Sequence, residues 1–207
     1  MAIELLPEQV SKDPLFAEFI RDIDQLVLTE ARPVELTTLV KQRMQTFLKT
    51  WKIQDERYCA MQPDQPYGSF LLYLAPESRF VVVIDTFDEN QTTRAHNHRT
   101  WAVVGLMEGS ERDIRFATPD GLHGAPQKIS ETQTQAGDIA TVLENEFHAL
   151  ATSPSYRSRS LHVYGADIGR ITRLCWDEEE RCYRQFAQGY SNDPMNLPPY
   201  FETVEGG

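Results

Sequence analysis

The histidines are the residues of this sequence whose spacing most clearly allows chemistry. His96-Asn97-His98 precedes a strand-like run, and His148 begins another such run later in the chain. Residues i and i+2 of a strand point to the same face, so two imidazoles can converge on one ion. Neutral imidazole suits Fe, Zn, Ni or Cu, and three imidazoles leave coordination positions open. The pattern predicts a metal site of His96, His98 and His148, although an isolated HxH pair is more often surface-exposed or hydrogen-bonded.

A second set of polar side chains alternates along one predicted strand. Ser160, His162 and Tyr164 share a strand face, so a chain of hydroxyl, imidazole and phenol can form by hydrogen bonding. The phenol end of such a chain can hold or pass a proton beside a metal site. The alternative is a structural role, in which His162 and Tyr164 cap the sheet through buried hydrogen bonds.

The elements that must position these residues follow from the hydrophobic pattern. Apolar residues recur at helical spacing from Pro14 to Val27, and Pro33 suits the first turn of a second helix that runs towards Trp51. Both apolar stripes are typical of packing against a core, and we expect these helices to carry no chemistry. After Met61, short runs of β-branched and aromatic residues indicate an antiparallel sandwich or barrel. The predicted strands are Phe70–Leu74, Phe80–Thr86, Thr100–Met107, Asp113–Phe116, Ile139–Leu143, His148–Thr152, Ser160–Tyr164 and Ile171–Trp176.

Composition narrows the possible partners. Acidic residues number 31 and basic residues 20, so the formal net charge is −11, which disfavours binding to nucleic acid. No apolar stretch approaches the roughly 20 residues that a membrane-spanning helix needs, and the N-terminus lacks a signal-peptide pattern. Cys59, Cys175 and Cys182 are scattered and cannot all pair, which favours a reducing, cytoplasmic location.

The spacing of the histidines resembles the two motifs of the cupin superfamily. His96 and His98 match the HxH of the first motif, Gly109 its last glycine, and Gly137 to His148 the opening and metal histidine of the second. Asn90 replaces the first glycine, which is tolerable because asparagine also adopts left-handed turn conformations. Ala102 or Val103 stands where the family has its glutamate ligand, so three neutral histidines would leave the charge of a bound ion uncompensated and favour anionic donors. The second motif also departs from the family, with Leu143, Asn145 and Thr152 in place of Pro, Gly and Asn.

A narrower resemblance is carried by Ser160-Leu161-His162-Val163-Tyr164-Gly165. This stretch is similar to the Ser-x-His-x-Tyr relay of the thiol dioxygenases, the cysteine dioxygenase family, which are cupins with a three-histidine ferrous site. The segments His98 to Gly109 and Tyr67 to Phe80 resemble the bacterial branch, so the likeness covers about residues 60 to 176. It implies Fe²⁺ held by His96, His98 and His148, catalytic roles for Ser160, His162 and Tyr164, and a small thiol and O₂ as substrates.

Departures within that family bear on the substrate. Val103 or its neighbour replaces the cysteine that crosslinks to tyrosine in the animal enzymes, so we expect no thioether to Tyr164. Tyr67 to Leu74 lacks the arginine that binds the substrate carboxylate in those enzymes and offers only Ser69 and Tyr73. Arg173 is our candidate for this role, because bacterial mercaptopropionate dioxygenases use an arginine beyond the relay tyrosine. The alternative is a surface Arg173 that pairs with the acidic run after it, and Arg170 is the poorer candidate by alternation.

Taken together, the sequence predicts a mainly β protein with a cupin double-stranded β-helix, a jelly-roll barrel, and N-terminal α-helices. We expect a helical extension over residues 1–60, the barrel over 61–176 and an irregular arm over 177–207, all within one structural domain. The predicted activity is oxidation of a small thiol, cysteine or a mercaptopropionate-like acid, to its sulfinate. A cupin metalloenzyme of another reaction class and a non-catalytic small-ligand-binding cupin are the alternatives, and the oligomeric state stays open. His123 lies in turn surroundings and is predicted to have no function.

Overall fold

The N-terminal helices begin at prolines and pack through one apolar side. A computed structural model describes residues 3–61, 67–153 and 155–202. It has helices α1 (Pro7–Lys12), α2 (Pro14–Thr29), α3 (Pro33–Phe47) and the short α4 (Asn192–Met195). The Asp13 carboxylate caps α2 by accepting a hydrogen bond from the Phe16 amide (3.0 Å). The same carboxylate accepts from the Trp51 indole (2.8 Å) and the Tyr200 hydroxyl (3.0 Å), so one side chain joins the helices to the C-terminal segment.

The strands form antiparallel sheets with long-range connections. The largest sheet has the order β1-β2-β8-β3-β6, a second has the order β5-β4-β7, and β10 pairs with β9. Because β8 lies between β2 and β3, and β7 pairs with β4, neighbours in the sheets are distant in sequence, as in a jelly roll. The strands are β1 (Tyr67–Leu74), β2 (Val81–Phe87), β3 (Ala102–Glu108), β4 (Ser110–Ala117), β5 (Gln127–Gln135), β6 (Ile139–Val142), β7 (Phe147–Thr152), β8 (Ser158–Tyr164), β9 (Arg173–Asp177) and β10 (Cys182–Phe186).

The five-stranded sheet has two buried faces with different partners. Val82 and Ile84 of β2 belong to the large core that contains the helices, where the Phe19 and Phe47 rings stack with centroids 4.1 Å apart. Val81 and Val83 belong to a second, smaller cluster inside the barrel. Strand alternation therefore separates a helix-facing layer from the interior face on which the polar residues of β8 lie.

Two positions of the predicted motifs have left-handed backbone. Gly109, in the turn between β3 and β4, has φ +81°, and a Cβ there would lie 2.2 Å from the Arg157 carbonyl oxygen. Glycine is therefore required at this position. Asn90 has φ +57°, which is the conformation that lets asparagine replace the first motif glycine.

The architecture confirms the predicted fold class, a mainly β, cupin-like arrangement of antiparallel sheets with N-terminal helices. One leucine of α3, Leu39, is 38% exposed and does not face the core. The sequence prediction missed β5, whose nine residues are almost all polar and exposed, and β10, which pairs with β9 in the segment expected to be an irregular arm. The division into extension, barrel and arm stays a prediction. Within the described residues, no helix has the length and apolar character of a membrane span.

Candidate active site

The three predicted ligands lie together at one end of the barrel interior. Their ligand nitrogens all lie within 4.8 Å of one another, and the ring centroids of His98 and His148 are 4.8 Å apart. His148 lies in β7, whereas His96 and His98 lie in the irregular connection between β2 and β3, not on a regular strand. Reciprocal backbone hydrogen bonds of 2.9 Å between His96 and His148 attach this connection to β7.

Asn97, between the two histidines, fixes the orientation of the pair. Its backbone N–H donates to the Leu174 carbonyl and its side-chain oxygen accepts from the Leu174 N–H, both at 3.0 Å. The Asn97 side chain is thus committed to β9, while the imidazoles on either side of it converge with His148. His96 and His98 still point to the same side, as residues i and i+2 of a strand do, because backbone hydrogen bonds to β7 and β9 keep this segment extended.

The protonation of the imidazoles fits metal binding. The Nδ1 atom of His148 is 3.2 Å from Asp113 Oδ1, and that of His96 is 2.8 Å from the Arg94 carbonyl oxygen. Each acceptor holds the proton on Nδ1, which leaves the Nε2 lone pair available. Burial, together with the nearby His148, holds the pKa of His96 and of His98 well below the ordinary value, so both are neutral.

The positions of the histidine nitrogens fit a bound cation. His98 Nε2 and His148 Nε2 are 3.1 Å apart, and His98 Nδ1 is buried without a hydrogen-bond partner among the described residues. Two unprotonated nitrogens at this distance would repel each other, and a shared cation converts that contact into coordination. No carboxylate joins the cluster in the part of the chain that the structure describes, and Ala102 is buried on the interior face.

The predicted relay forms as a continuous hydrogen-bonded chain on β8. Ser160 Oγ is 2.8 Å from His162 Nε2, and His162 Nδ1 is 2.7 Å from the Tyr164 hydroxyl. Tyr164 packs edge-on against His98, with ring centroids 5.0 Å apart and planes at 90°, so the relay reaches the histidine cluster. Burial lowers the pKa of His162 and raises that of Tyr164 well above its ordinary value, so imidazole and phenol are both neutral.

A cavity of about 370 Å³ opens onto the cluster and the relay. Its wall includes Arg173, which is 3% exposed and donates from one terminal nitrogen to Gln188 Oε1 (3.1 Å). The Arg173 guanidinium also lies over the Phe186 ring, 4.4 Å from its centroid. Arg173 forms no ion pair with any described carboxylate, and its Nε has no hydrogen-bond partner there. A buried cation with unused donors faces the cavity.

The surface alternative for Arg173 is therefore wrong. Asp177, the first residue of the acidic run, pairs instead with Arg184 (3.1 Å) and Arg94 (3.6 Å). The side chain of Arg170 is 83% exposed and pairs with Asp167, so it lies outside the cavity wall.

Tyr73 is a correction to the sequence-based site. It lies in the helix-side core against Phe80, with its hydroxyl buried and unpaired among the described residues, and not on the cavity wall. The register of β1 against β2 shifts between Leu71 and Tyr73, and this bulge reverses the alternation. Leu71 thus faces the barrel interior and Tyr73 the helices. Tyr67, before the bulge, is the β1 tyrosine that lines the cavity.

Sequence reasoning missed three buried carboxyl groups near the site. Asp113 contacts His148 and also Arg115, whose terminal nitrogen is 2.6 Å from Asp113 Oδ2. Burial alone raises the pKa of Asp113, but these two partners outweigh it and hold the pKa below its ordinary value. Asp85 lines the cavity with Oδ2 3.5 Å from His162 Nε2, and Glu111 is 2% exposed. Strand β4 carries charged residues on both of its faces, so its sequence shows no alternation of polar and apolar residues. The one available signal was that Glu111 and Asp113 are residues i and i+2 of a strand and therefore share a face.

Comparisons with known proteins find only distant similarity. No protein-family model matches the chain. A double-stranded β-helix protein from Klebsiella pneumoniae is 15% identical over 61% of this chain and 93% of its own, with a TM-score of 0.44. A cupin-2 domain from Rhodospirillum rubrum is 10% identical over 58% and 74%, with a TM-score of 0.43. An oxalate oxidase bound to the substrate analogue glycolate is 12% identical over 56% of this chain, with a TM-score of 0.42. The match covers 62% of that enzyme, less than two thirds of its length.

Proposed function

We propose that this protein is a non-haem iron thiol dioxygenase that oxidises a small thiol to its sulfinate. The reaction adds both atoms of O₂ to sulfur, so that R–SH and O₂ give R–SO₂⁻ and one proton. The main observation that supports the proposal is that two features meet in one cavity. The Ser160–His162–Tyr164 chain ends with its phenol ring against His98, one member of the cluster of three histidines.

The histidine cluster is the proposed iron site. A ferrous ion there would supply binding and activation of dioxygen beside the substrate thiolate. His96, His98 and His148 are the residues that would hold it, and Asp113 keeps the proton of His148 on Nδ1. Because the cluster contributes no negative charge, it favours an anionic sulfur donor from the substrate.

Tyr164 is the proposed proton-holding group. Its phenol is fully buried and neutral, and its oxygen shares a proton with His162 Nδ1 across 2.7 Å. A positioned neutral phenol can stabilise negative charge that develops next to the cluster, and it costs no reorganisation during the reaction. His162 orients the phenol, and Ser160 in turn orients His162 through Nε2.

Arg173 is the proposed carboxylate anchor. Its guanidinium is held by Gln188 and by the Phe186 ring, so its position is fixed before a ligand arrives. A guanidinium binds a carboxylate through two parallel hydrogen bonds, and burial strengthens this interaction. These contacts favour a short thiol acid, cysteine or a mercaptopropionate-like compound, over a thiol without a carboxylate.

The test is turnover of iron-loaded protein against a panel of thiols. Oxygen uptake and sulfinate formation are measured with cysteine, mercaptopropionate, cysteamine and mercaptosuccinate. We expect Tyr164→Phe to keep its iron content and to lose roughly 10- to 1000-fold in turnover, the range for a lost proton donor or charge-stabilising donor. His162→Ala should act in the same direction, and the double variant should be less than additive because the two residues act in one chain.

The matched control is Tyr156→Phe, since Tyr156 is 64% exposed and lies outside the cavity wall. It should keep wild-type turnover. Normal turnover by Tyr164→Phe across the panel would contradict the relay and favour a metalloenzyme of another reaction class. Thiol binding without oxygen consumption by iron-loaded wild-type protein would favour a non-catalytic ligand-binding cupin.

A further inference from the structure

Asp85 is an acidic side chain in the wall of the cavity that the histidine cluster and the relay border. It lies in β2, is only 8% exposed, and is the one carboxylate among the described residues that line this cavity. Its Oδ1 atom is buried and has no hydrogen-bond partner among those residues. Its Oδ2 atom lies 3.5 Å from His162 Nε2, which is longer than a well-formed hydrogen bond. The carboxylate therefore borders the cavity without a committed partner.

His162 does not neutralise this carboxylate. Its Nε2 atom already lies 2.8 Å from Ser160 Oγ, and burial lowers the pKa of the imidazole, which is therefore neutral. Within the described residues, no lysine or arginine pairs with Asp85. A buried carboxylate without a cationic partner is unfavourable, so its place in a cavity wall points to a cation that arrives with the ligand.

Asp85 and Arg173 border the cavity from different walls. Asp85 lies directly opposite Ser160 in the pairing of β2 with β8, so it belongs to the sheet that carries the relay. Arg173 belongs to β9, where Gln188 and the Phe186 ring hold its guanidinium. The two side chains form no ion pair with each other in the described part of the chain. One negative and one positive group are thus both open to a ligand between them.

We propose that Asp85 binds an ammonium group of the ligand, so that the cavity selects a thiol acid with an amino group over a thiol acid without one. The inference rests on the proposed function for the thiol and adds a residue that determines specificity. An ammonium group donates up to three hydrogen bonds, and the Asp85 oxygens have the capacity to accept them. The ligand would then be bound at three places, with its sulfur at the histidine cluster, its carboxylate at Arg173 and its ammonium at Asp85.

Two other uses of a buried carboxylate make different predictions. Asp85 is not a fourth ligand of the proposed metal site, because the group whose ligand atoms converge within the described residues consists of His96, His98 and His148. A role in orienting His162 would act through the relay. Loss of such a role would affect every thiol alike, whereas loss of an ammonium site affects only the thiols that carry an ammonium group.

The test compares two thiols that differ by one ammonium group. Cysteine carries this group on the carbon next to its carboxylate, and mercaptopropionate carries hydrogen there. Dissociation constants are measured without oxygen, on protein with and without Fe²⁺, so that binding is read apart from turnover. In Asp85→Asn, we expect the dissociation constant of cysteine to rise roughly 10- to 150-fold, the range of a charged hydrogen bond, and that of mercaptopropionate to change by less than about twofold. Each thiol is compared with itself on the wild-type protein, so the different acidities of the two thiols cancel.

Cysteamine, which has an ammonium group and no carboxylate, separates the two charged residues. Asp85→Asn should weaken the binding of cysteamine and spare mercaptopropionate, and Arg173→Gln should do the opposite. The matched control is Asp88→Asn, because Asp88 directly follows β2, pairs with Arg157 at the surface (2.9 Å) and lies outside the cavity wall. It should bind all three thiols as the wild-type protein does. If Asp85→Asn does not fold, Asp85→Ser takes its place, since serine also removes the charge and should give the same selective loss.

An equal loss for cysteine and mercaptopropionate, or no loss for either, would overturn the inference. A selective loss of cysteine binding, together with an absence of sulfinate from the wild-type protein, would refute the proposed function and leave the role of Asp85 intact. Sulfinate formation with unchanged selectivity in Asp85→Asn would support the proposed function and refute the role of Asp85.

Discussion

Replacement of Asp113 by asparagine changes the contact that orients His148 and leaves this candidate metal ligand in place. Asp113 receives donors on both sides, His148 Nδ1 at 3.2 Å on one oxygen and the Arg115 guanidinium at 2.6 Å on the other. An asparagine has one oxygen and one NH₂ group, so it can satisfy only one of these donors. Arg115 is always charged and donates two hydrogen bonds to Oδ2, and we expect it to capture the amide oxygen.

The NH₂ group of the substituted side chain would then face His148 Nδ1. That contact requires an unprotonated Nδ1, which moves the His148 proton to Nε2, the nitrogen 3.1 Å from His98 Nε2. A protonated Nε2 cannot ligate, so metal binding first requires conversion to the other tautomer. Loss of such an outer contact typically lowers metal affinity by roughly 10- to 100-fold. This range corresponds to about 1.4–2.7 kcal/mol of binding free energy.

The assay is anaerobic titration of metal-free protein with Fe²⁺ against a competing chelator. Asp113→Asn should bind more weakly by that factor and keep its fold, as judged by circular dichroism. Asp138→Asn is the matched control, because Asp138 accepts from the Gln135 amide in a turn, and no hydrogen bond or ion pair joins it to the three histidines within the described residues. Wild-type affinity in Asp113→Asn would refute the argument that Asp113 selects the His148 tautomer.

Two further predictions concern Arg173 and Glu111. Arg173→Gln should raise KM for cysteine and mercaptopropionate by roughly 10- to 150-fold, from the about 1.5–3 kcal/mol of a charged hydrogen bond, and should spare cysteamine. Arg170→Gln is its exposed control, and an equal loss for cysteamine would contradict the anchor. Burial raises the pKa of Glu111 from 4.5 to about 7, so its stabilising effect is complete below pH 4.5 and is lost as the pH rises through 7. The free energy of unfolding of the wild-type protein, measured by urea titration, should therefore fall by about 3 kcal/mol over this pH range. Glu111→Gln should lack this fall. If the free energies of unfolding of the two proteins change in parallel with pH, the argument is wrong.

Features that depend on local periodicity could be predicted from the sequence. The helices at Pro14 and Pro33 form as expected, because proline at the first turn and a stripe of apolar residues act within one segment. The relay is equally local, since Ser160, His162 and Tyr164 belong to one strand and alternation alone aligns them. The convergence of His148 with the HxH pair came from the motif resemblance and not from periodicity.

Features that depend on register or on a distant strand could not be predicted. The bulge in β1 moved Tyr73 to the helix side, and nothing in Leu71-Leu72-Tyr73 indicates an irregular strand. Strand β5 is polar on both faces and forms because β4 offers it an edge. Asp113 gains its His148 partner from β7, so a sequence pattern that places Asp113 on a strand says nothing of what it faces.

Ala102, one of the two residues at the place of the glutamate ligand in the resembled cupin motif, lies next to the relay. In the β3–β8 pairing, Ala102 lies directly opposite Tyr164, and both belong to the cluster inside the barrel. A glutamate at Ala102 would bring a carboxylate next to the phenol, and the Tyr164 ring would compete with it for the space against His98. The methyl group of alanine leaves that space to the ring. It also leaves the histidine cluster without negative charge, so a bound cation would draw its balancing anion from the cavity. Arg173 in the cavity wall favours a ligand with a second negative group. The same small residue therefore leaves room for the phenol and, under the proposed function, would favour an anionic substrate.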